Sequence, residues 1–341
     1  MNKHLRIAVI NGGTSAEAEV SRVSARGVIK ALRENYSNVF DIPLEPGIER
    51  RLAECQPNVV FPVVHGAPGE DGSLQGFLDL LGYAFVGSDV QSSAVAMDKI
   101  IAKLIFRAAG LPLIEQLVVE RHQGVAAAAA AIQNTLGDYV VVKPARQGSA
   151  LGVTLVDNAS QLFSALENAF QLDDRLLIEL RINGKEITVG VLDIDNTVDD
   201  ECDADVDRAQ DREPDAGLET RTEAFPVIEI ATPDQAFYDY AHRYTVGLSD
   251  HIMPAPLGAE QTRRIQNIAI QAHRALGCRD LSRADFVVPN ENEEYLLEVN
   301  TLPGMTPTSL YPDGAAGYGL SFAELVSYLV ERAAKRGPRQ C

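Results

Sequence analysis

RADFVVPNENEEYLLEVNTLPGMTPTSL, residues 283–310, consists of two apolar segments around a Pro-Asn-Glu-Asn turn, followed by a loop rich in Pro, Gly and hydroxyl side chains. This pattern predicts a β-hairpin. Asp285 lies on its first strand, while Glu298 and Asn300, two residues apart, project from one face of the second. Three oxygen donors therefore converge, which favours a Mg²⁺ site shared with nucleotide phosphates. The alternative is a set of acidic side chains on an exposed sheet face.

Basic side chains suited to neutralising a triphosphate occur in three places. Lys99 opens an amphipathic helix, Lys143 ends the apolar segment VVVKP, and Arg283 precedes Asp285. A lysine that leaves a buried strand costs desolvation energy unless it is paired, and a phosphate pairs it well. The loop QGSALG, residues 147–152, adds the small residues and backbone N–H groups of a phosphate flap. The sequence has neither a P-loop motif nor a G-x-G-x-x-G dinucleotide motif.

The N-terminal part has the alternation expected of a parallel sheet. LRIAVING (5–12) and VVFPVVHG (59–66) are typical of buried strands, each followed by a Gly-rich turn and a helix, and AFVGSD (84–89) of a short strand. Such alternation predicts helices on both faces of the sheet. Functional groups are then expected at the C-terminal strand ends, where Glu17 and His65 fall.

From about Met97 the pattern changes to shorter strands and helices of an α+β type. We therefore predict three domains, comprising residues 1–97, 98–186 and 187–341. Residues 193–224 are acid-rich and almost free of large apolar side chains, which indicates a solvated insertion rather than core. A calcium site is disfavoured in this segment because it has no Gly-centred twelve-residue loop ending in Glu.

The composition is that of an ordinary globular enzyme, 46% hydrophobic and 23% charged. Its formal net charge of -18 repels nucleic-acid backbones and anionic lipids, so we expect neither nucleic acid nor membrane as a partner. No apolar run approaches the roughly 20 residues that span a bilayer. Four dispersed cysteines and an N-terminus without a signal-peptide pattern predict a cytoplasmic protein.

Several blocks of the sequence resemble, in order and content, the D-alanine-D-alanine ligases of the ATP-grasp superfamily. The blocks are GGTSAEAEVS, HGAPGEDGSLQGFLDLLGYAFVGSD with AMDK, VVKPARQGSALGV, GKEITVGVL, FYDYAHRYT, and SRADF with LLEVNTLPGMTPTSL. They cover nearly the whole chain apart from the acidic insertion. The resemblance implies an α/β ATP-grasp fold, in which an N-terminal parallel-sheet, Rossmann-like domain and two α+β domains enclose ATP. It also implies ATP-dependent ligation of two D-alanines through an acyl phosphate, for peptidoglycan precursor synthesis.

The resemblance further implies an ATP site between the second and third domains. Its nucleotide-binding residues would be Lys99 and Lys143 on the phosphates, Glu179 and Arg181 at the adenine, Ile182 beside them, and Glu186 on the ribose. Its metal ligands would be Asp285, Glu298 and Asn300, which would hold two Mg²⁺ ions, with Mn²⁺ as a substitute.

For the amino-acid substrates, the resemblance places the ammonium of the first D-alanine near Glu17, with His65 beside it. Arg283 and the backbone N–H of Gly304 would form an oxyanion hole. Ser309 and the N–H of Leu310 would bind the carboxylate of the second D-alanine.

A mobile loop would close over the reaction and contribute Tyr244, which links through Ser149 to Glu17. Arg243 precedes it and would contact the substrates where relatives have a lysine. Tyr244 favours a peptide product over an ester-linked D-alanyl-D-lactate. The family is usually dimeric through its N-terminal domain, so a homodimer is implied as well.

The chain departs from the family pattern at Gln147, Ala150, Leu180, Arg181 and Arg243. These residues surround the phosphates and the nucleotide, so they bear on turnover or ATP affinity more than on the type of reaction. Two alternatives stay open. One is an ATP-grasp ligase with D-serine, D-lactate or another amino acid as acceptor, in resistance or secondary metabolism. The other is a non-catalytic ATP-binding paralogue, which would be expected to lack the metal ligands or the oxyanion arginine.

Overall fold

The computed structural model describes residues 3–195, 220–232 and 248–339. Arg243 and Tyr244 lie outside these ranges. Within them, no helix combines the length and apolar character required to cross a membrane.

The acidic insertion predicted at 193–224 begins later and ends earlier than expected. Strand β8 (Lys185–Asp195) continues through residue 195, and β9 (Thr220–Ala224) pairs with it antiparallel, with Asp195 opposite Thr220. The ladder persists because the Thr222 hydroxyl donates to Asp193, which gives this acidic side chain a partner inside the sheet. The remainder, 196–219, is outside the described residues.

The first sheet is parallel and has the strand order β2-β1-β3. Successive residues of β1 alternate between two cores: Ile7 and Val9 pack under helices α1 and α10, while Ala8 and Ile10 pack under α2 and α3. The predicted parallel sheet with helices on both faces is thus confirmed. The elements of this region are β1 (Arg6–Gly12), α1 (Ala18–Leu32), β2 (Asn38–Leu44), α2 (Ile48–Cys55), β3 (Val59–Pro62), α3 (Ser73–Leu80) and α4 (Val90–Met97).

The short strand expected at 84–89 is reduced to a single parallel bridge between Val60 and Phe85. Gly87 follows with a positive φ of 97°, and its N–H donates to Asp280 instead of to a neighbouring strand. The backbone is therefore drawn away from the sheet after one bridge.

The second sheet is antiparallel, with the order β4-β7-β5-β6. Val140 and Val142 of β5 are buried in the core beneath helices α6 and α7, which places Val141 and Lys143 on the opposite face. The elements are α5 (Lys99–Ala108), β4 (Gln116–Glu120), a 3₁₀ turn (Arg121–Gln123), α6 (Val125–Thr135), β5 (Val140–Pro144), β6 (Thr154–Val156), α7 (Ala159–Phe170) and β7 (Arg175–Leu180).

The third sheet is also antiparallel, with the order β11-β10-β8-β12-β13 and β9 paired to β8. Ile187, Val189 and Val191 share a core with the apolar side of α8, so Glu186 and Thr188 lie on the other face. The remaining elements are β10 (Ile228–Ala231), β11 (Asp250–Ile252), α8 (Ala259–Ala275), β12 (Leu281–Asn290), β13 (Glu293–Asn300), α9 (Leu310–Tyr318) and α10 (Phe322–Arg336).

The predicted hairpin forms from β12 and β13, with a turn at residues 290–293. It contains a β-bulge that the sequence pattern did not reveal: Asp285 pairs with Glu298, but Phe286 pairs with Leu296, so Leu297 is an extra residue. Beyond the bulge, the side chains of β13 lie on the opposite faces from those that a regular strand would give them. Leu296 faces the core, and Glu298 still lies on the same face as Asp285.

The chain passes from the second sheet to the third between Leu180 and Lys185. Helix α5 packs between these sheets, since Ile100 contacts Ala145 and Leu177, while Phe106 belongs to the core under α8. The mixed α/β class is confirmed by these three sheets. The domain limits 1–97, 98–186 and 187–341 remain a prediction.

A buried ionic cluster joins the first and third sheets. Asp280 is fully buried and accepts hydrogen bonds from Arg332 Nε at 3.0 Å, Arg336 Nη1 at 2.6 Å and the backbone N–H of Gly87 at 2.8 Å. Burial raises the pKa of Asp280, but the charge and hydrogen bonds of Arg336 outweigh it and hold the pKa below its ordinary value. Asp280 also has a positive φ of 65°. The cluster fixes the first sheet relative to the hairpin.

We expect Asp280→Asn to destabilise the protein by about 3–5 kcal/mol, because it removes the fully buried carboxylate that Arg332 and Arg336 share. Asn tolerates the left-handed backbone conformation, so the loss reports the charge. The measurement is the urea midpoint at pH 7. Folding lowers the pKa of Asp280, so the stabilisation by its carboxylate is fully present above the unfolded pKa and is lost as pH falls through the folded pKa. The urea midpoints of wild type and Asp280→Asn should therefore converge in acid.

Glu260→Gln is the control for this substitution. Glu260 is exposed and lies 3.7 Å from Arg264, so we expect a change below about 1 kcal/mol. Equal midpoints for Asp280→Asn and wild type at pH 7 would contradict the proposed role of the cluster.

Candidate active site

A cleft is formed where loops of all three sheets meet. The first sheet contributes its residues from the loops after β1 and β3, the second from the β5–β6 loop and the start of α5, and the third from β12, β13 and the loop before α9. The polar lining residues include Glu17, His65, Glu70, Lys99, Gln147, Ser149, Arg283, Glu298, Asn300, Thr308 and Ser309, with Gly304 among the backbone contacts. The structure thus brings together most of the residues that the sequence singled out.

The hairpin places the predicted metal ligands side by side. Asp285 lies opposite Glu298, and Asn300 lies opposite Arg283. Arg283 donates to Asp285 through Nε at 2.9 Å and through Nη2 at 2.7 Å, and Thr188 Oγ1 donates to the same carboxylate at 2.6 Å. These contacts fix Asp285 at the rear of the cleft, behind its lining.

This donor set fits Mg²⁺ in one particular way. Among the described residues, no group of three or more His, Cys, Asp and Glu side chains is arranged as a metal site. Two carboxylates and one amide are therefore available, and Asn300 Oδ1 is already held in place by the N–H of Leu302 at 2.8 Å. Mg²⁺ commonly binds one or two carboxylates and completes its octahedron with water and substrate phosphates. The hairpin fits that mode rather than an all-protein cage.

Lys99 lies between the flap and the hairpin. Its Nζ donates to the backbone carbonyl of Gln147 at 2.7 Å and lies 3.4 Å from Glu298 Oε2. The amine is thus fixed by β5–β6 on one side and by β13 on the other. A phosphate at this point would meet a positive charge that is already oriented.

Behind the cleft, Glu179 on β7 binds two lysines. Lys143 from the neighbouring strand pairs with Oε2, and Lys103 from α5 lies 2.7 Å from Oε1. Burial raises the pKa of Glu179, but the charges and hydrogen bonds of Lys103 and Lys143 outweigh this effect and lower it to about 2. Glu179 is therefore a carboxylate throughout the working pH range.

Sequence reasoning missed Lys103, although a signal was present. In KIIAKLIF this lysine is three residues from Ile100 and three from Phe106, so it lies on the apolar side of α5. A lysine on that side, which is only 1% exposed here, needs a buried counter-ion.

The flap contacts the first sheet directly. The Ser149 hydroxyl donates to Oε1 of Glu17, which is buried. Ser149 and Ala150 both have positive φ values, 46° and 57°, so the flap turns sharply at this contact. The predicted connection from Ser149 to Glu17 is present, while its continuation to Tyr244 lies outside the described residues.

His65 is buried at the end of β3, with its Nε2 3.2 Å from the Ser24 hydroxyl. Burial lowers the pKa of His65, against the opposing effect of Glu17. The imidazole is therefore neutral at pH 7.

Glu70 is a second carboxylate in the cleft that the sequence analysis did not single out. Its Oε2 accepts the Gly66 N–H at 2.5 Å, and the side chain is half-buried. Burial, followed by the negative charge of Glu17, raises the pKa of Glu70 to about 8. Glu70 is therefore largely protonated at pH 7, on the first-sheet side of the cleft.

The loop before α9 supplies backbone N–H groups. Ser309 precedes Leu310, the first residue of the helix, and its hydroxyl accepts the Thr306 N–H at 3.0 Å. A Cβ at Gly304 would lie only 2.6 Å from that hydroxyl, so the approach of the two loop segments requires glycine. Unpaired N–H groups and the dipole of the helix N-terminus favour an anion here.

The remaining predicted nucleotide residues are less closely grouped. Arg181 pairs with Asp157 at 2.5 Å and lies 4.8 Å from the Tyr139 ring centroid, just beyond the end of β7. Ile182 is partly buried in the segment between β7 and β8. Glu186 lies on the same face of the third sheet as Thr188, and lines a separate cavity of about 730 Å³.

Comparison with known proteins gives concordant matches to sequence families. The family described as D-ala D-ala ligase C-terminus matches residues 105–209 and 216–331, and the D-ala D-ala ligase N-terminus family matches 45–88. A D-alanine-D-alanine ligase of Halalkalibacterium halodurans is 42% identical over 97% of this chain and 100% of its own length. One from Geobacter sulfurreducens is 40% identical over 96% of this chain and 94% of its own length.

Two solved structures are similar to this chain over nearly its full length. The D-alanine-D-alanine ligase from Bacillus anthracis complexed with ATP has a TM-score of 0.77 and 28% identity, and the match covers 97% of this chain and 98% of that one. The VanG D-Ala:D-Ser ligase from Enterococcus faecalis has a TM-score of 0.75 and 30% identity, with 97% and 99% coverage.

We expect Glu70→Gln to become progressively more stable than wild type as pH rises from 4.5 to about 8. The folded pKa of Glu70 exceeds its ordinary value of 4.5, so the native state binds more protons than the unfolded state in this window and wild-type stability falls with rising pH. Urea midpoints of both proteins at pH 5 and pH 8 measure the effect. Exposed Glu34→Gln serves as the control, and a pH-independent difference between Glu70→Gln and wild type would contradict the shift.

Proposed function

The chain belongs to the D-alanine-D-alanine ligase family, and we propose that it joins two D-alanines to D-alanyl-D-alanine for peptidoglycan precursors, with ATP converted to ADP and phosphate. The likeness to solved ligases over the whole chain confirms the ATP-grasp fold. One observation carries the assignment of chemistry to residues: the hairpin pairs Asp285 with Glu298 and Arg283 with Asn300, facing Lys99 and Glu17 across one cleft.

ATP would bind along the face shared by the second and third sheets. Lys99 lies at the cleft and Lys143 is 15% exposed behind it, so both amines can reach phosphates, one from the start of helix α5 and the other from strand β5. Asp285, Glu298 and Asn300 would hold two Mg²⁺ ions, or Mn²⁺ in their place, and the metal would supply charge neutralisation for phosphoryl transfer. The acidic side chains would bind the metal ions, and the metal ions would bind the phosphates, which is how an acidic chain can accommodate a polyanion.

In the first step, a carboxylate oxygen of the first D-alanine attacks the γ-phosphorus of ATP, ADP leaves, and an acyl phosphate forms. Glu17 binds the ammonium group, since its buried carboxylate opens into the cleft. Neutral His65 lies beside the substrate without adding a charge. Ser149 orients Glu17 and at the same time closes the flap on it.

In the second step, the neutral amine of the second D-alanine attacks the acyl carbon, and negative charge develops on the carbonyl oxygen. Arg283 and the N–H of Gly304 form the oxyanion hole. A guanidinium has five donors, so binding Asp285 through two of them is compatible with this role. Collapse of the tetrahedral intermediate breaks the bond between the acyl carbon and the phosphate oxygen, and phosphate leaves with the proton that the attacking nitrogen gives up. Ser309 and the N–H of Leu310 hold the second carboxylate at the start of α9.

By resemblance to the family, a loop that carries Arg243 and Tyr244 would complete the site by closing over it. By resemblance to the family, Tyr244 extends the Ser149–Glu17 connection and Arg243 contributes positive charge. Closure excludes water, which would otherwise hydrolyse the acyl phosphate. A cytoplasmic homodimer that associates through the first-sheet region is proposed on the same basis.

D-alanine is the acceptor favoured by the comparisons. The relatives that are 40–42% identical over 96–97% of this chain are D-alanine-D-alanine ligases. The solved D-Ala-D-Ala and D-Ala:D-Ser ligases, at 28% and 30% identity, do not discriminate between the two acceptors. A non-catalytic paralogue is disfavoured, because the oxygen donors and Arg283 are all present on paired strands, with Arg283, Glu298 and Asn300 lining the cleft and Asp285 behind them.

The function is tested by measuring phosphate release with ATP, Mg²⁺ and a panel of D- and L-amino acids, with mass spectrometry of the product. We expect D-alanine alone to support turnover and to give D-alanyl-D-alanine. Faster turnover with a mixture of D-alanine and D-serine or D-lactate, and the mixed product, would replace the proposed acceptor.

Replacing Arg283 with Ala should lower kcat by about 10² to 10³, because one oxyanion donor is lost. The fold should persist, since Thr188 still donates to Asp285. Steady-state phosphate release gives kcat, and calorimetry with a non-hydrolysable ATP analogue shows whether nucleotide binding is retained.

Exposed Arg263→Ala is the matched control for this arginine and should retain wild-type kcat. A kcat for Arg283→Ala within a factor of ten of wild type would exclude Arg283 from the oxyanion hole.

A further inference from the structure

Lys103 is a fully buried cation that takes no part in the mechanism above. Its Nζ lies 2.7 Å from Glu179 Oε1 and donates to the backbone carbonyl of Leu296 at 2.8 Å. It thereby links helix α5 to β7 in the second sheet and to β13 in the third. Burial lowers the pKa of Lys103, against the opposing attraction of Glu179.

Glu179 binds two lysines of unequal accessibility. Lys143 occupies one carboxylate oxygen and is 15% exposed, whereas Lys103 occupies the other and is 1% exposed. The Leu296 carbonyl accepts a second contact from Lys103, at 2.8 Å. Lys143 can therefore exchange partners with a ligand in the cleft, and Lys103 cannot.

We propose that Lys103 is a positioning residue that remains the counter-ion of Glu179 when Lys143 moves onto the phosphates of ATP. The inference rests on the proposed function, since it takes a nucleoside triphosphate as the ligand. Lys103 touches neither substrate nor reacting atoms, and acts through Glu179 and Lys143.

The physical reason lies in the cost of an unpaired buried charge. If Lys143 were the sole partner of Glu179, its departure would leave a desolvated carboxylate without a cation, which is strongly unfavourable. Glu179 would then retain Lys143 and compete with the phosphate. With Lys103 in place, the carboxylate stays paired and the exchange costs little. Lys103 is also tied to β13 two residues before Glu298, so the counter-ion and the metal strand move as one unit.

The test separates the phosphate contribution from the rest of nucleotide binding. Calorimetry gives dissociation constants for adenosine and for AMP-PNP with Mg²⁺. The adenosine constant divided by the AMP-PNP constant measures how much the phosphates strengthen binding. We expect this ratio to fall at least about tenfold in Lys103→Met, with adenosine affinity within about twofold of wild type. Circular dichroism and a thermal melt establish that the variant is folded, and exposed Lys30→Met is the matched control.

Two further variants keep the proposal testable. In Lys103→Met/Glu179→Gln, no carboxylate retains Lys143, so the ratio should return to within about twofold of wild type. Glu179→Gln alone should have a ratio at least as large as wild type, because Lys143 is released without any exchange. If Lys103→Met does not fold, Glu179→Gln decides, and a lower ratio in that variant overturns the proposal.

The outcomes distinguish this proposal from the proposed function. Wild-type protein that binds neither adenosine nor AMP-PNP refutes ATP use itself. An unchanged ratio in folded Lys103→Met refutes only the role of Lys103. A fall in adenosine affinity with an unchanged ratio would show that Lys103 orients Glu179 toward the base, and this also overturns the proposed release of Lys143.

Discussion

Pairing of charges in advance of ligand binding is the constraint on which this site depends. The chain carries a formal net charge of -18, so a polyanion is attracted only where cations are fixed locally. Each basic side chain around the cleft is held by an acid or a carbonyl: Lys99 by the Gln147 carbonyl, and Arg283 by Asp285. The acids thus keep the cations in position, and also include the proposed metal ligands.

The same principle acts at the level of the whole fold. Asp280 gathers two arginines and a backbone N–H from separate parts of the chain at a fully buried point. Glu17 and the hairpin belong to different sheets, and their relative placement depends on such long-range contacts. This acidic chain therefore makes these electrostatic contacts in its interior, where screening by salt is weakest.

Much of this arrangement could be predicted from the sequence, because the patterns involved are local. The parallel sheet followed from apolar strands that alternate with helices, and the hairpin from two apolar segments around a turn. The bulge at Leu297 could not be predicted, since it depends on register between strands. Lys103 was detectable on the apolar side of α5, but its partner Glu179 is 76 positions away. The strand at 84–89 was wrong because Asp280, almost 200 residues on, binds its backbone. The outer limits of the acidic insertion were wrong because pairing with β8 extends into it.

The bulge also governs where the chain tolerates changes in length. Side chains of a strand alternate between its two faces, so deleting Val299 would place Asn300 on the face of the apolar core. Deleting the extra residue Leu297 would remove the bulge and leave Glu298 on the cleft face. Connections outside the paired strands are free of that restriction. Insertions and deletions among homologues are therefore expected to accumulate in such connections, while the spacing from residue 285 to residue 300 is maintained.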